Sequence, residues 1–135
     1  MSIGFVGVGL MGGPLARNLI RAGKEVLVFD LSEEAVQRTL DAGTTGTAAG
    51  SLDDLAGCEL VFTSLPMPQH VESVMLGDDG LLTKLGQGTI HIELSTIDPQ
   101  TSVKLSEAAA AKGVGCLQCT LGKTPAHAEK AEEPL

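Results

Sequence analysis

Few folds accommodate the stretch Ile3-Gly4-Phe5-Val6-Gly7-Val8-Gly9-Leu10-Met11-Gly12-Gly13-Pro14. An apolar run enters Gly7-x-Gly9-x-x-Gly12 directly, and an amphipathic helical pattern follows from Leu10 to Ala22. Strand, tight turn and helix N-terminus, in that order, are the setting in which this glycine spacing binds a dinucleotide. Each glycine has its own reason. Gly7 allows the sharp turn off the strand, because a residue without Cβ reaches backbone angles that others avoid. Gly9 lets a pyrophosphate approach the main chain, and Gly12 lets the helix pack closely on the sheet. The N–H groups and positive dipole end of the helix then favour a diphosphate.

Composition narrows the partners. The 135 residues carry a net charge of −8, no Trp, no Tyr and three Phe. Nucleic-acid binding needs basic patches or stacking aromatics, and this chain offers neither. No apolar run approaches the ~20 residues of a membrane span. The start, Met1-Ser2-Ile3, enters a strand without the features of a signal peptide, so the cytoplasm is the default location. Cys58, Cys116 and Cys119 are an odd number and suggest no disulfide framework. Cys116-Leu117-Gln118-Cys119 spells CxxC, but it sits in an apolar run where a strand is expected, so small buried hydrophobes are the better reading. A zinc site of Cys116, Cys119 and His127 lacks a fourth ligand, so no metal is expected.

Further along, the chain alternates strands with helices. Strands are expected at 3–7, 24–30, 60–65, 89–94 and 113–120. Helices are expected at 10–22, 33–42, 51–56, 69–76 and from Pro99 to Lys112, with Thr44 to Gly50 as a loop. Such alternation makes parallel βαβ units and an open, doubly wound α/β sheet, whose ligands bind at the carboxyl ends of the strands. Gly7 to Gly12, Asp30, Leu65-Pro66 and Ser95-Thr96 all follow strand ends. Asp30 stands 18 residues beyond Gly12, close to the ~20 at which a carboxylate accepts hydrogen bonds from the adenosine ribose. Ser32 already offers a cap for the following helix. A carboxylate at position 30 repels a 2′-phosphate, and Leu31, Ser32, Glu33 and Glu34 supply no Arg to receive one. NAD is therefore expected in preference to NADP.

Gly7-Val-Gly-Leu-Met-Gly-Gly-Pro-Leu-Ala16, with Asn18-Leu19 and Ala22-Gly23, resembles the opening signature of the β-hydroxyacid dehydrogenases. Ser64-Leu-Pro66, Val71-x-x-Val74 and Ser95-Thr-Ile-x-Pro99 are similar to that family's next blocks, in the same order. The resemblance implies a Rossmann domain over residues 1–129, followed by a charged tail over 130–135. It implies coenzyme contacts at Leu10, Met11, Leu65, Pro66 and Thr96, beside Gly7, Gly9, Gly12 and Asp30. Gly122-Lys123-Thr124 resembles the Gly-Arg-Thr variant of the sulfolactaldehyde reductase branch. That implies an anionic hydroxy acid or semialdehyde held by Ser95, Gly122, Lys123 and Thr124. Gln118 and Thr120 replace the Asp and Pro usual in this block, and His127 reads as a surface residue.

Members of the family continue into a helical domain that carries a general-acid Lys, and no such domain is expected here. Lys84, Lys104 and Lys112 do not align with that role, so no catalytic residue is assigned. The function implied is that of the NAD-binding part of an oxidoreductase, inactive alone. A non-catalytic nucleotide-binding or interaction module and an imine-reductase-like relative are the alternatives. A homo-oligomer is also expected, because a strand exposed at a sheet edge tends to pair.

Overall fold

The structure is a computed structural model and describes residues 2–9, 11–95 and 97–119. Six strands form one parallel sheet: β1 (Ser2–Val6), β2 (Glu25–Phe29), β3 (Gly46–Ala48), β4 (Leu60–Thr63), β5 (Ile90–Glu93) and β6 (Gly115–Gln118). Their order across the sheet is β3-β2-β1-β4-β5-β6. The helices are α1 (Gly12–Arg21), α2 (Glu33–Leu40), α3 (Pro68–Leu76) and α4 (Pro99–Ala111). This is the doubly wound Rossmann-type arrangement expected from the alternation of elements.

Apolar residues at alternate positions of the strands feed two cores. Phe5, Val26, Val28 and Phe62 pack with Ala16 and Ile20 of α1. Val6 and Val61 pack with Val71 and Met75 of α3 and with Leu105 and Ala109 of α4. Strands covered on both faces read as near-continuous apolar runs. Full burial of a side chain such as Phe5 or Leu105 contributes about 1.5–3 kcal/mol. Phe5 and Phe62, register partners on β1 and β4, stack with ring centroids 5.2 Å apart.

The main departure from expectation is β3, which lies inside the stretch read as a loop. It is a three-residue edge strand with Thr47 and Ala48 exposed, so it has no apolar alternation to reveal it. Short edge strands of this kind limit unwanted pairing. Gly46 anchors it: a Cβ there would lie 2.7 Å from Ile20 Cδ1 and 3.0 Å from Leu40 Cδ2. Residues 52–55 form a 3-10 turn whose Ser51 makes no side-chain cap; instead Asp54 accepts from the Gly50 N–H at 2.7 Å. A second 3-10 turn, absent from the sequence reading, covers Leu81–Thr83. α2 stops at Leu40, two residues before the expected Ala42, where Asp41 N–H still bonds Gln37.

The chain runs outward from β1 in both directions across the sheet, so β1 and β4 flank its topological switch point. In sheets of this kind the crevice that takes ligands lies between the loops beyond the carboxyl ends of those two strands.

Candidate coenzyme site

The glycine loop fills that crevice, and its three glycines are required for three separate reasons. Gly7 leaves β1 with a φ of 91°, in the left-handed region that favours glycine. Its N–H donates to the Phe29 carbonyl at 2.9 Å, and a Cβ on it would collide with the Ser64 backbone. Gly12 begins α1 against the Gly7 carbonyl, where a Cβ would also lie 2.9 Å from Ser64 Cβ and 3.1 Å from Phe5. Gly9 differs, because a Cβ there meets nothing within 4 Å. The space beside it is open to a ligand. Met11 stands at the N-cap of α1 without a side-chain cap, and the first turn has no acidic residue. The dipole end of a ten-residue helix is thus left for an anion.

Asp30 closes the adjoining side. It follows β2, half-buried, and Oδ2 accepts from the Val8 N–H at 2.9 Å. Oδ1 accepts from the Ser32 N–H at 2.9 Å. Capping of α2 falls to Ser32, whose Oγ accepts from the Ala35 N–H at 3.2 Å. Asp30 therefore ties the glycine loop to the start of α2. A carboxylate offers about four acceptor positions, so room remains for ribose hydroxyls. Open space at Gly9, an uncapped helix start and a carboxylate one strand away fit a dinucleotide.

The loops after β4 and β5 lie alongside. Leu65 is half-buried and Pro66 exposed, and a Cβ on Gly7 would stand 3.2 Å from Leu65 Cδ2. The Leu65 N–H donates to Ser95 Oγ at 2.7 Å, which joins the two loops. Leu10, Thr96, Gly122, Lys123 and Thr124, together with Thr120 and His127, lie outside the described residues.

Behind Ser95 is a polar group that the sequence reading does not single out. Thr63, His91 and Glu93 are fully buried. Glu93 Oε2 accepts from the Ser95 N–H at 3.2 Å, and Oε1 accepts from the Thr63 hydroxyl at 2.5 Å. Thr63 Oγ1 also lies 2.8 Å from His91 Nε2. Its single proton goes to Glu93, so it accepts from His91, which carries its hydrogen on Nε2. His91 Nδ1 faces Cys116 Sγ at 3.9 Å. The available signal was the period-2 spacing of His91 and Glu93 inside a strand whose neighbours are apolar. Polar side chains so placed must find partners.

The remaining candidates separate. Cys116 packs against the core beneath α3 and α4, and Cys119 against the one beneath α1. The CxxC thiols therefore serve opposite faces of the sheet. Of the three free cysteines only Cys58 is fully buried, the other two being half-buried. Burial pushes the Cys58 and Cys116 thiols above their ordinary value. Lys84 pairs with Asp53 at 2.5 Å and Lys104 with Glu72 at 3.5 Å. Among the described residues, no group of three or more His, Cys, Asp or Glu could hold a metal ion, and no helix is long and apolar enough to cross a membrane.

Comparison with known proteins agrees with this fold. Residues 2–133 match the family described as the NAD binding domain of 6-phosphogluconate dehydrogenase. The chain is 49% identical over 115 residues to 3-hydroxyisobutyrate dehydrogenase of Pseudomonas aeruginosa, covering 85% of this chain and 38% of that protein. It is 35% identical over 127 residues to 3-sulfolactaldehyde reductase of Escherichia coli, covering 94% of this chain and 42% of the relative. The solved structure of Psf3 in complex with NADP+ and 2-OPP superposes with a TM-score of 0.89 at 28% identity, covering 95% of this chain and 45% of the other. The chain thus spans about two-fifths of the length of these relatives. With its glycine loop, its β1–β4 crevice and its matched residues 2–133, the chain belongs to the NAD-binding domain family of 6-phosphogluconate dehydrogenase and stands there with the β-hydroxyacid dehydrogenases.

Proposed function

We propose that this chain is the coenzyme-binding part of an oxidoreductase that moves a hydride between nicotinamide and a 3-hydroxy acid or its semialdehyde. NAD is the preferred coenzyme. The observation that carries this reading is Asp30, half-buried at the end of β2 and bonded to the glycine loop through Val8. The α1 N-terminus would hold the diphosphate, and Asp30 would accept from the ribose hydroxyls. A 2′-phosphate at that position would face a carboxylate with no Arg between residues 31 and 34 to offset it.

Leu65, Pro66 and Thr96 would border the nicotinamide end, with Leu10 and Met11 in the loop beside it. Ser95, Gly122, Lys123 and Thr124 would meet the substrate, Lys123 supplying the cation for its anionic group. The coenzyme, when bound, takes the hydride from the hydroxy acid or gives it to the semialdehyde, and the protein orients it. No residue of this chain is assigned proton transfer, so the chain alone is expected to be inactive. Three free thiols support a reducing compartment, the cytoplasm, as its setting. Leu117, exposed on β6, the outermost strand on that side among the described residues, supports self-association.

Calorimetric titration tests the assignment. NADH is expected to bind more tightly than NADPH, and Asp30→Ser to narrow the difference. The reverse order of affinities, or an unchanged ratio in Asp30→Ser, would remove Asp30 from coenzyme selection.

A further inference from the structure

We infer that Glu93 is a positioning residue for the nicotinamide end of the crevice, an inference that rests on the coenzyme reading above. A carboxylate buried in the sheet carries a desolvation penalty unless it is well hydrogen-bonded. Val61 and Cys116, in register with His91 and on the same face of the sheet as Glu93, show that apolar side chains suit this part of the fold. Glu93 is held from two sides. Thr63, its register partner on β4, donates to Oε1 and is itself backed by His91. The other oxygen, Oε2, takes the Ser95 N–H and so fixes the turn by which the chain leaves β5. Ser95 then passes the constraint on, because its Oγ accepts from the Leu65 N–H in the loop after β4. One carboxylate sets the separation of the two loops that would border the nicotinamide. The adenosine half would lie elsewhere, between α1 and Asp30, and among the described residues no hydrogen bond of this network reaches it.

The two halves of the coenzyme can be probed separately with NADH and ADP-ribose, which lacks the nicotinamide. In the unaltered chain NADH is expected to bind more tightly than ADP-ribose. Glu93→Leu is expected to weaken NADH by about tenfold, the upper range for one or two hydrogen bonds, and to leave ADP-ribose within about twofold. Glu93→Gln is expected to retain the preference for NADH. Its amide oxygen can still accept from Ser95, while its NH2 donates to Thr63 and the Thr63 hydroxyl donates to His91 Nε2, the imidazole hydrogen moving to Nδ1 on the Cys116 side. Ser95→Ala removes only the tie to Leu65, so it carries the same test if Glu93→Leu does not fold, and the double variant should lose no more than either single one.

An equal fall in both ligands for Glu93→Leu would reduce Glu93 to general stability and overturn the inference. So would a selective loss in Glu93→Gln as large as that in Glu93→Leu, or equal binding of NADH and ADP-ribose by the unaltered chain. Failure of the unaltered chain to bind ADP-ribose at all would instead overturn the coenzyme reading, and the positioning role with it.

Discussion

Gly9 and Gly12 belong to one motif, yet substitution should separate them cleanly. Gly12→Ala places a methyl against the Gly7 carbonyl, Ser64 and Phe5, and backbone on one side cannot yield. A loss of about 1–3 kcal/mol in chemical denaturation is expected. Gly9→Ala enters open space and should change stability by less than about 0.5 kcal/mol. It should still weaken NADH binding by about tenfold, about 1.4 kcal/mol. Titration and denaturation of both variants check the contrast, and a destabilised Gly9→Ala would contradict it. The turn at Gly7, the close packing at Gly12 and the place of Asp30 at the end of β2 were legible in the sequence because spacing along the chain encodes them. Glu93 was not, because its main partner Thr63 is 30 positions away. Only pairing in the folded sheet reveals that the two residues meet.

At the level of elements, the strongly patterned helices and apolar strands followed from the sequence, whereas β3 did not. Gly46-Thr47-Ala48 earns its strand geometry from pairing with Val26, Leu27 and Val28, a tertiary effect without local periodicity. Helix starts were clearer, and that of α4 makes a pH-dependent prediction. Asp98 caps it, accepting from the Thr101 hydroxyl at 2.7 Å and from the Thr101 N–H at 3.1 Å. These bonds, the hydroxyl's foremost, hold its carboxyl below its ordinary value. A depressed value means the contribution is complete above the ordinary carboxylate range and is lost as pH falls through the lowered one. Asp98→Asn keeps a capping oxygen without the titration. Its thermal midpoint should therefore decline less than that of the unaltered chain between pH ~5 and pH ~3. Parallel declines in the two melting series would show that the cap adds nothing to acid sensitivity.

For the whole molecule, ligand binding and folding are one equilibrium. NADH at a hundred times its Kd should stabilise the fold by about 2.7 kcal/mol, which raises the thermal midpoint by about 10 °C for a chain of this size. NADPH at the same concentration should raise it less, and an equal rise for both would argue against coenzyme selection by Asp30. The sheet order adds a kinetic consequence. Ile3 pairs with Leu60, whereas every other strand pairing joins residues much closer in the chain. Closing that longest loop pays the largest chain entropy of any pairing in the sheet. The crevice lies along this β1–β4 seam. Full binding of the coenzyme, its nicotinamide end included, is therefore expected only once the two halves of the sheet have joined, so that in refolding NADH binding should lag behind ADP-ribose binding.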